Sequence, residues 1–366
     1  MKRIEIKNLL VVVVGIFLAT ICIFLDAYVT KQKKEEELRQ NQIAKEYAKE
    51  EMPEAEKAML GTILYEDEEV VCYVDRAFLR FRYLESDVTR IGNLVDGMLQ
   101  ACPAIEKVCV VPVPHRVFVE EGYEQDKMAY ERYLQLLSSC LPSKGVVVNA
   151  LSAIQEHKDE DVFYRSANSW SPTGAYYGTQ MICKELGIES IPLDRYYRYS
   201  YSSFRGGVLD NANLAFTQEI ESLKDKNFYY LLPDSPNMAE VIKKDDNGKK
   251  ITYKKPIITS SARNIGAFIE NIYIRAIIPG EAKVEGKQGK YVLLVCDNAG
   301  KQLAPYLKDY YDGVYVINIY YDDELYMDIN EIIETYHISE VVYAQNAMDM
   351  GNFGYTNALN SFYKEW

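Results

Sequence analysis

Several patterns that carry chemistry are absent from this chain of 366 residues. It contains three histidines, His115, His157 and His337, and this scarcity limits acid–base catalysis, because histidine titrates near neutral pH. Its seven cysteines form no CxxC pair and have no histidine at ligand spacing, so no metal site and no cofactor is predicted. In a chain of this length we expect reduced, buried thiols and no disulfide framework.

Basic stripes are also missing. The formal net charge is −13, and an acidic chain without a basic stripe is a poor candidate for binding nucleic acid. Tyrosine is abundant, with 31 residues against 12 phenylalanines. Tyrosine suits half-buried sheet faces, so we assign these residues mainly to the core, with sugar-stacking platforms as the alternative.

An apolar run near the amino terminus predicts a membrane anchor. Residues 9–29 are apolar apart from Asp26, and Lys2, Arg3 and Lys7 precede them. No small-x-small cleavage site follows, so we predict an uncleaved, single-pass signal anchor in the lipid bilayer. Lysines on both sides leave the orientation open by charge alone. The short tail, residues 1–8, favours a cytoplasmic amino terminus.

Residues 30–58 are rich in Glu, Lys, Gln and Ala and contain no glycine. Opposite charges four residues apart, such as Lys31 with Glu35, favour a helix. We predict a solvated helical stalk. A dimerising coiled coil is the alternative, but apolar residues at heptad spacing are too few to support it.

Residues 59–366 alternate between strand and helix patterns, which predicts an α/β domain with a mostly parallel sheet covered on both faces. A segment at about 195–285 is rich in tyrosine and short strand-like pieces, and we interpret it as a β-rich, peripheral insertion. The predicted strands are 108–113, 145–151, 291–296, 314–319 and 341–344, and the predicted helices are 126–140, 173–186, 302–311 and 329–336.

Sites in such sheets form at the carboxyl ends of the strands. Cys296 and Asp297 end one predicted strand, and His115 follows another, so we expect them at one sheet edge. The loop 166–170 precedes a helix that Pro172 opens and Gly187 closes. This loop is the second candidate position for a site.

The segment from Tyr164 to Tyr177 resembles the motif of the DHHW proteins, which are bacterial cell-surface relatives of the alginate and peptidoglycan O-acetyltransferases. The family segment reads Tyr-Arg-Thr-Asp-His-His-Trp-Thr-x-x-Gly-Ala-Tyr-Tyr. Here its Asp and two His positions hold Ala167, Asn168 and Ser169, whereas Trp170 is retained. The resemblance implies a three-layer, SGNH-hydrolase-like (flavodoxin-like) fold and an extracytoplasmic domain on the cell membrane.

Further blocks support the resemblance. Residues 292–307 resemble the family's strand–Asp-Ser–helix block, 340–346 resemble its closing strand, and 204–207 resemble a weaker signature. In the family the serine of the first block is the nucleophile, and Asn298 stands at that position. The family's catalytic histidine corresponds to Ser169 and its orienting aspartate to Ala167.

No catalytic residue is therefore expected at the three family positions. An amide is neither a useful nucleophile nor a base, and acyl transfer needs both an activated oxygen and a nearby base. The motif thus has a degenerate catalytic unit, and the chain is interpreted as a pseudoenzyme. The side chains predicted to line what remains of the pocket are Asn168, Trp170, Asp297, Cys296 and His115.

Three hypotheses for the function follow. The first is a membrane-anchored, inactive SGNH-like protein that binds a cell-envelope polysaccharide or a membrane-bound acyltransferase partner. The second is an active cell-surface O-acetyltransferase or esterase with a site rearranged around His115, which has serines and Cys296 as possible nucleophiles. The third is a structural envelope protein whose stalk and domain assemble with themselves or a division complex.

Overall fold

The computed structural model describes residues 59–211, 221–244, 247, 249–258, 275–319 and 329–352. The predicted anchor and stalk lie outside these residues. Within the described part, no helix is long and apolar enough to span a bilayer.

Thirteen strands and seven α-helices make up the described domain. The strands are β1 Ile63–Glu66, β2 Val70–Tyr73, β3 Ala77–Leu79, β4 Lys107–Val113, β5 Gly145–Val147, β6 Tyr197–Phe204, β7 Asp225–Leu231, β8 Met238–Lys244, β9 Lys250–Pro256, β10 Arg275–Pro279, β11 Tyr291–Cys296, β12 Gly313–Asn318 and β13 Glu340–Asn346. The helices are α1 Glu85–Ala101, α2 Glu124–Cys140, α3 Ala150–Glu156, α4 Pro172–Glu185, α5 Val208–Asn211, α6 Ala304–Leu307 and α7 Ile329–Thr335.

An eight-stranded mixed sheet organises the domain, in the order β5-β4-β13-β11-β12-β10-β8-β9. The first five strands are mutually parallel, and β10, β8 and β9 extend the sheet in antiparallel pairings. The central strands are apolar on both faces, which requires cover on both sides. The predicted α/β class with a mostly parallel core is thus observed.

Two apolar cores lie on opposite faces of the sheet. In β4, Cys109, Val111 and Val113 belong to one core, which also contains Trp170 and apolar residues of α4. The alternate residues Val108 and Val110 belong to the other core, with residues of α1, α2 and α7. Alternation along a strand sends successive side chains to opposite faces, so the domain has three layers.

Local sequence determines both ends of α4. The Ser171 hydroxyl accepts hydrogen bonds from the backbone N–H groups of Thr173 and Gly174, at 3.1 and 3.4 Å, and Pro172 occupies the first turn. Gly187 follows the helix with φ of 65°, a left-handed conformation that glycine adopts at low cost. The helix predicted from Pro172 and Gly187 is confirmed.

Two predicted elements differ from the structure. The strand predicted at 145–151 ends at Val147, and Ala150 and Leu151 begin α3. The helix predicted at 302–311 is a 3₁₀ turn followed by the single-turn helix α6, which ends at Leu307. A short apolar run cannot distinguish a buried strand from the start of a buried helix. Helix α1 and strands β1–β3 were not predicted.

The β-rich segment at about 195–285 is only partly peripheral. Strands β6 and β7 form a separate antiparallel pair. Strands β8, β9 and β10 instead continue the main sheet, because β10 pairs with β12 along five residues. The second half of the predicted β-rich segment therefore forms one edge of the main sheet.

Two glycines inside helices provide a test of the core packing. A Cβ atom on Gly178 would lie 2.5 Å from Cζ3 of the Trp170 ring, whereas a Cβ atom on Gly97 would have no neighbour within 4 Å. We expect Gly178→Ala to lower the free energy of unfolding by about 1–3 kcal/mol through overpacking. Gly97→Ala should raise it by up to about 1 kcal/mol. Urea denaturation measures both, and an unchanged or higher stability of Gly178→Ala would contradict the packing.

Candidate functional site

The buried carboxylate of Asp297 joins the ends of two neighbouring parallel strands. Its Oδ1 accepts hydrogen bonds from the backbone N–H groups of Ala299 and Gly300, both at 2.8 Å. Its Oδ2 accepts one from the backbone N–H of Asn346 at the end of β13, at 2.9 Å. Burial raises the pKa of Asp297 to about 6, although the three backbone donors favour the ionised form.

Asn298 follows Asp297 and is the residue that the sequence resemblance aligns with the family nucleophile. It is half-buried. Its Oδ1 accepts a hydrogen bond from Nδ2 of Asn318, the last residue of β12, at 3.3 Å. The two side chains therefore form an amide pair across adjacent strand ends. An amide pair can bind hydroxyl groups but supplies no nucleophile.

The loop at residues 164–170 is packed tightly against this turn. Trp170 is fully buried, and its indole Nε1 donates a hydrogen bond to the Ala299 carbonyl at 3.0 Å. Ser169, which the sequence resemblance aligns with the catalytic histidine, accepts a hydrogen bond from Nε2 of Gln302 at 3.0 Å. Ala167, which the resemblance aligns with the orienting aspartate, packs in a small apolar cluster. Apolar side chains therefore surround Ala167, and the side-chain amide of Gln302 contacts Ser169.

Asp225, a buried residue at the start of β7, anchors the same loop. Its Oδ2 accepts hydrogen bonds from the Ser166 hydroxyl at 2.7 Å and the Ser166 backbone N–H at 3.0 Å. Its other oxygen accepts one from the backbone N–H of Arg165. Burial raises the pKa of Asp225 to about 6. No motif marked this residue, because it lies 59 positions from Ser166.

The segment at residues 204–207, which carries the weaker family signature, packs against the loop at residues 164–170. The backbone N–H of Gly206 donates a hydrogen bond to the Ser166 hydroxyl at 2.9 Å. A Cβ atom on Gly206 would lie 2.1 Å from the Ser166 carbonyl carbon. Only glycine permits this approach, so the signature has a structural role beside the loop.

Asn346 links His115 to the loop. Its Oδ1 lies 2.6 Å from Nε2 of His115 and accepts a hydrogen bond from the backbone N–H of Met348 at 3.1 Å. Its Nδ2 donates to the backbone carbonyl of Asn168 at 3.0 Å. We therefore assign the imidazole hydrogen to Nε2. Asn318 and Asn346 end observed strands, and polar residues close to the ends of predicted strands were the available signal for this network.

His115 lies at the predicted sheet edge but is buried beside Phe81 and Phe118, with ring centroids 6.1 and 5.9 Å away. Burial lowers its pKa to about 4, so the imidazole is neutral at pH 7. Its Nδ1 has no hydrogen-bond partner among the described residues. No serine or cysteine of the described chain hydrogen-bonds to it, so the rearranged Ser–His or Cys–His arrangement is not observed there.

Cys296 is completely buried at the end of β11, and burial raises the pKa of its thiol well above the usual range. A buried neutral thiol is a core residue and a poor nucleophile. Lys301, which the sequence did not single out, is also buried, and burial lowers its pKa to about 8. Over the described ranges, no cluster of His, Cys, Asp or Glu has the composition of a metal site.

Comparison with known proteins supports the fold. No family model matches the sequence, and no curated protein matches it. Among solved structures, a DHHW family protein from Eubacterium siraeum is similar with a TM-score of 0.64 and 17% identity, covering 82% of this chain and 97% of that chain. PatB1 from Bacillus cereus is similar with a TM-score of 0.58 and 15% identity, and the match covers 80% of this chain and 98% of that chain. The structure of PatB1 with a sulfonyl adduct has a TM-score of 0.59 at 15% identity, and the match covers 80% of this chain and 97% of that chain.

The domain is therefore a three-layer α/β protein with its polar network at the carboxyl edge of a mostly parallel sheet. Its fold is that of a DHHW family protein. This confirms, at the level of the fold, the resemblance inferred from residues 164–177.

Asp225 and Asp297 make stability depend on pH. Burial raises the pKa of each carboxyl group from 3.8 to about 6, so the folded chain binds these protons more tightly than the unfolded chain. Their contribution to the free energy of unfolding is fully present below about pH 4 and is lost as the pH rises through 6. We expect a loss of about 1 kcal/mol per carboxyl group between pH 5 and pH 7, measured by urea denaturation.

The slope of the free energy of unfolding against pH contains a contribution from Asp225. Asp225→Asn should remove that contribution, because an amide does not titrate. It should also lower the stability at every pH, since an amide oxygen cannot replace two carboxylate oxygens as acceptors. The matched control is Asp194→Asn at an exposed position, which should leave the slope unchanged. A full wild-type slope in Asp225→Asn would contradict the assignment.

Proposed function

We propose that this chain is a membrane-anchored, extracytoplasmic protein that binds a cell-envelope polysaccharide and does not transfer or hydrolyse acyl groups. One observation carries the proposal: the amide oxygen of Asn298, the residue that the resemblance aligns with the family nucleophile, accepts a hydrogen bond from the side chain of Asn318. The apolar segment at residues 9–29 would hold the domain at the outer surface of the membrane.

The absence of catalysis follows from the chemistry of the groups at the site. The Asn298 amide cannot act as an oxygen nucleophile or as a base at neutral pH. The Ser169 hydroxyl hydrogen-bonds to Gln302 and to the backbone carbonyl of Trp170. Members of a catalytic triad act as a unit, so a site without any of them keeps only the binding contributions of its pocket.

Saccharide binding is favoured by the kind of polar groups at this edge. Asn298 and Asn168 are half-buried, so their side chains are partly accessible at the carboxyl end of the sheet. A primary amide both donates and accepts hydrogen bonds, which matches the hydroxyl groups of a sugar. The loop bearing Asn168 is held by buried contacts, and such preorganisation lowers the entropic cost of binding. The resemblance to DHHW proteins implies an envelope polysaccharide as the ligand class.

The first test measures acyl chemistry. We expect the purified chain to hydrolyse 4-nitrophenyl acetate at the rate of the buffer with inert protein added. Asn298→Ala and His115→Ala should show the same rate as the wild type. Turnover above background that either substitution abolishes would contradict the proposal and support a rearranged esterase site.

The second test measures binding. The chain is screened on an array of neutral and acidic oligosaccharides, and ligands found there are titrated by calorimetry. We expect Asn298→Ala and Asn168→Ala each to weaken binding by about 5- to 50-fold, because each removes hydrogen bonds to the sugar. Asn93→Ala, at an exposed position on α1, should bind like the wild type. Equal affinities of the wild type and the three variants would show that the ligand binds away from Asn298 and Asn168, which would contradict the proposed site.

A further inference from the structure

A polar cavity of about 420 Å³ lies beside the loop that carries the degenerate motif. Its volume is within the range of small-molecule sites. None of the pocket residues predicted from the sequence lines it. The charged residues of its wall are Arg76, Arg116, Glu120, Glu121, Lys158 and Asp159.

Two arginines of the wall are held rigidly by one carboxylate. Nε of Arg76 donates to Oε2 of Glu120 at 2.9 Å, and Nε of Arg116 donates to Oε1 at 2.8 Å. The Arg76 guanidinium also stacks over the Tyr73 ring, 4.1 Å from its centroid. Both side chains are mostly buried, so a ligand that binds them pays little additional rotamer entropy.

The wall of the cavity offers both hydrogen-bond donors and hydrogen-bond acceptors to a ligand. Within the described residues, Arg76 and Arg116 use their Nε and Nη1 groups, which leaves the Nη2 group of each as a donor. Lys158 is an exposed donor, and Glu121 and Asp159 are exposed acceptors. A concave wall with interleaved donors and acceptors matches a polyhydroxylated ligand.

The charged side chains in the wall of the cavity balance one another. Three cationic side chains face three carboxylates around the cavity, whereas the chain as a whole has a formal charge of −13. A net-neutral wall gives no Coulombic preference to an anion or a cation. The favoured ligand is neutral and makes many hydrogen bonds, as a sugar does.

The cavity is physically connected to the loop of the candidate site. Nη1 of Arg116 donates to the backbone carbonyl of Tyr164 at 3.2 Å, and the backbone N–H of Ala77 donates to the carbonyl of Arg165 at 2.6 Å. Tyr164 and Arg165 begin the segment that leads to Asn168. The wall of the cavity and the binding loop therefore form one hydrogen-bonded unit.

We propose that this cavity is a second saccharide subsite. It binds one neutral sugar unit of a polysaccharide whose other sugar units contact Asn298. This inference rests on the proposed function for the class of ligand, but it is carried by separate residues. It assigns recognition of neutral hexose or N-acetylhexosamine units to Arg76, Lys158, Glu121 and Asp159.

The test uses the full chain and neutral oligosaccharides of two to six units, both cello- and chito-oligosaccharides, in calorimetric titrations. The double variant Lys158→Ala, Asp159→Ala changes two exposed side chains and should fold normally. We expect it to bind six-unit oligosaccharides about 5- to 10-fold more weakly than the wild type, with less than a twofold change for two-unit ligands. The matched control is Lys184→Ala, Glu189→Ala at exposed positions outside the cavity.

Arg76→Gln provides a second variant that removes the stacked guanidinium, with thermal melting as the check on folding. Wild-type affinity of the Lys158, Asp159 double variant for six-unit ligands would overturn the subsite. If that variant loses affinity while Asn298→Ala does not, the subsite stands and the proposed site at Asn298 fails. A wild-type chain that binds none of these neutral oligosaccharides overturns the subsite, whereas the proposed site at Asn298 is then decided by the array that also contains acidic oligosaccharides.

Discussion

The carboxylate of Asp297 and its three backbone donors are the constraint on which the site depends. Parallel strands bring their carboxyl ends to one edge, and this buried acceptor joins the turn after β11 to the end of β13. The turn then presents the Ala299 carbonyl to the indole of Trp170. A buried carboxylate is costly unless hydrogen-bonded, so the turn geometry and the ionisable group stabilise each other.

Three buried residues maintain the frame of the site through contacts with the backbone and with the neighbouring loop. Asp297, Trp170 and Gly206 hold backbone segments together and need no nucleophile. This frame is therefore compatible with the amide of Asn298 and the methyl group of Ala167. Gln302 donates a hydrogen bond to the Ser169 hydroxyl, so this buried hydroxyl has a partner. The shape of such a site and its reactivity are physically separable.

The loop at 164–170 is held from three directions. Asp225 accepts its backbone N–H groups, Asn346 donates to the carbonyl of Asn168, and Arg116 donates to the carbonyl of Tyr164. Side chains on such a rigid loop are preorganised, which favours binding because little conformational entropy is lost. Arg116 also lines the charge-balanced cavity, so one hydrogen bond joins the wall of that cavity to this loop.

Local patterns in the sequence were sufficient to predict the parallel strands and helix α4. Apolar runs and proline and glycine punctuation act over a few residues, and they are readable without neighbours. The tertiary structure alone decided the role of Asp225, the Asn346–His115 contact across 231 positions and the cavity beside the loop. It also decided that β10 joins the main sheet. These features arise from contacts between segments that are distant in the sequence. Local sequence patterns do not specify which buried acceptor pairs with which distant donor.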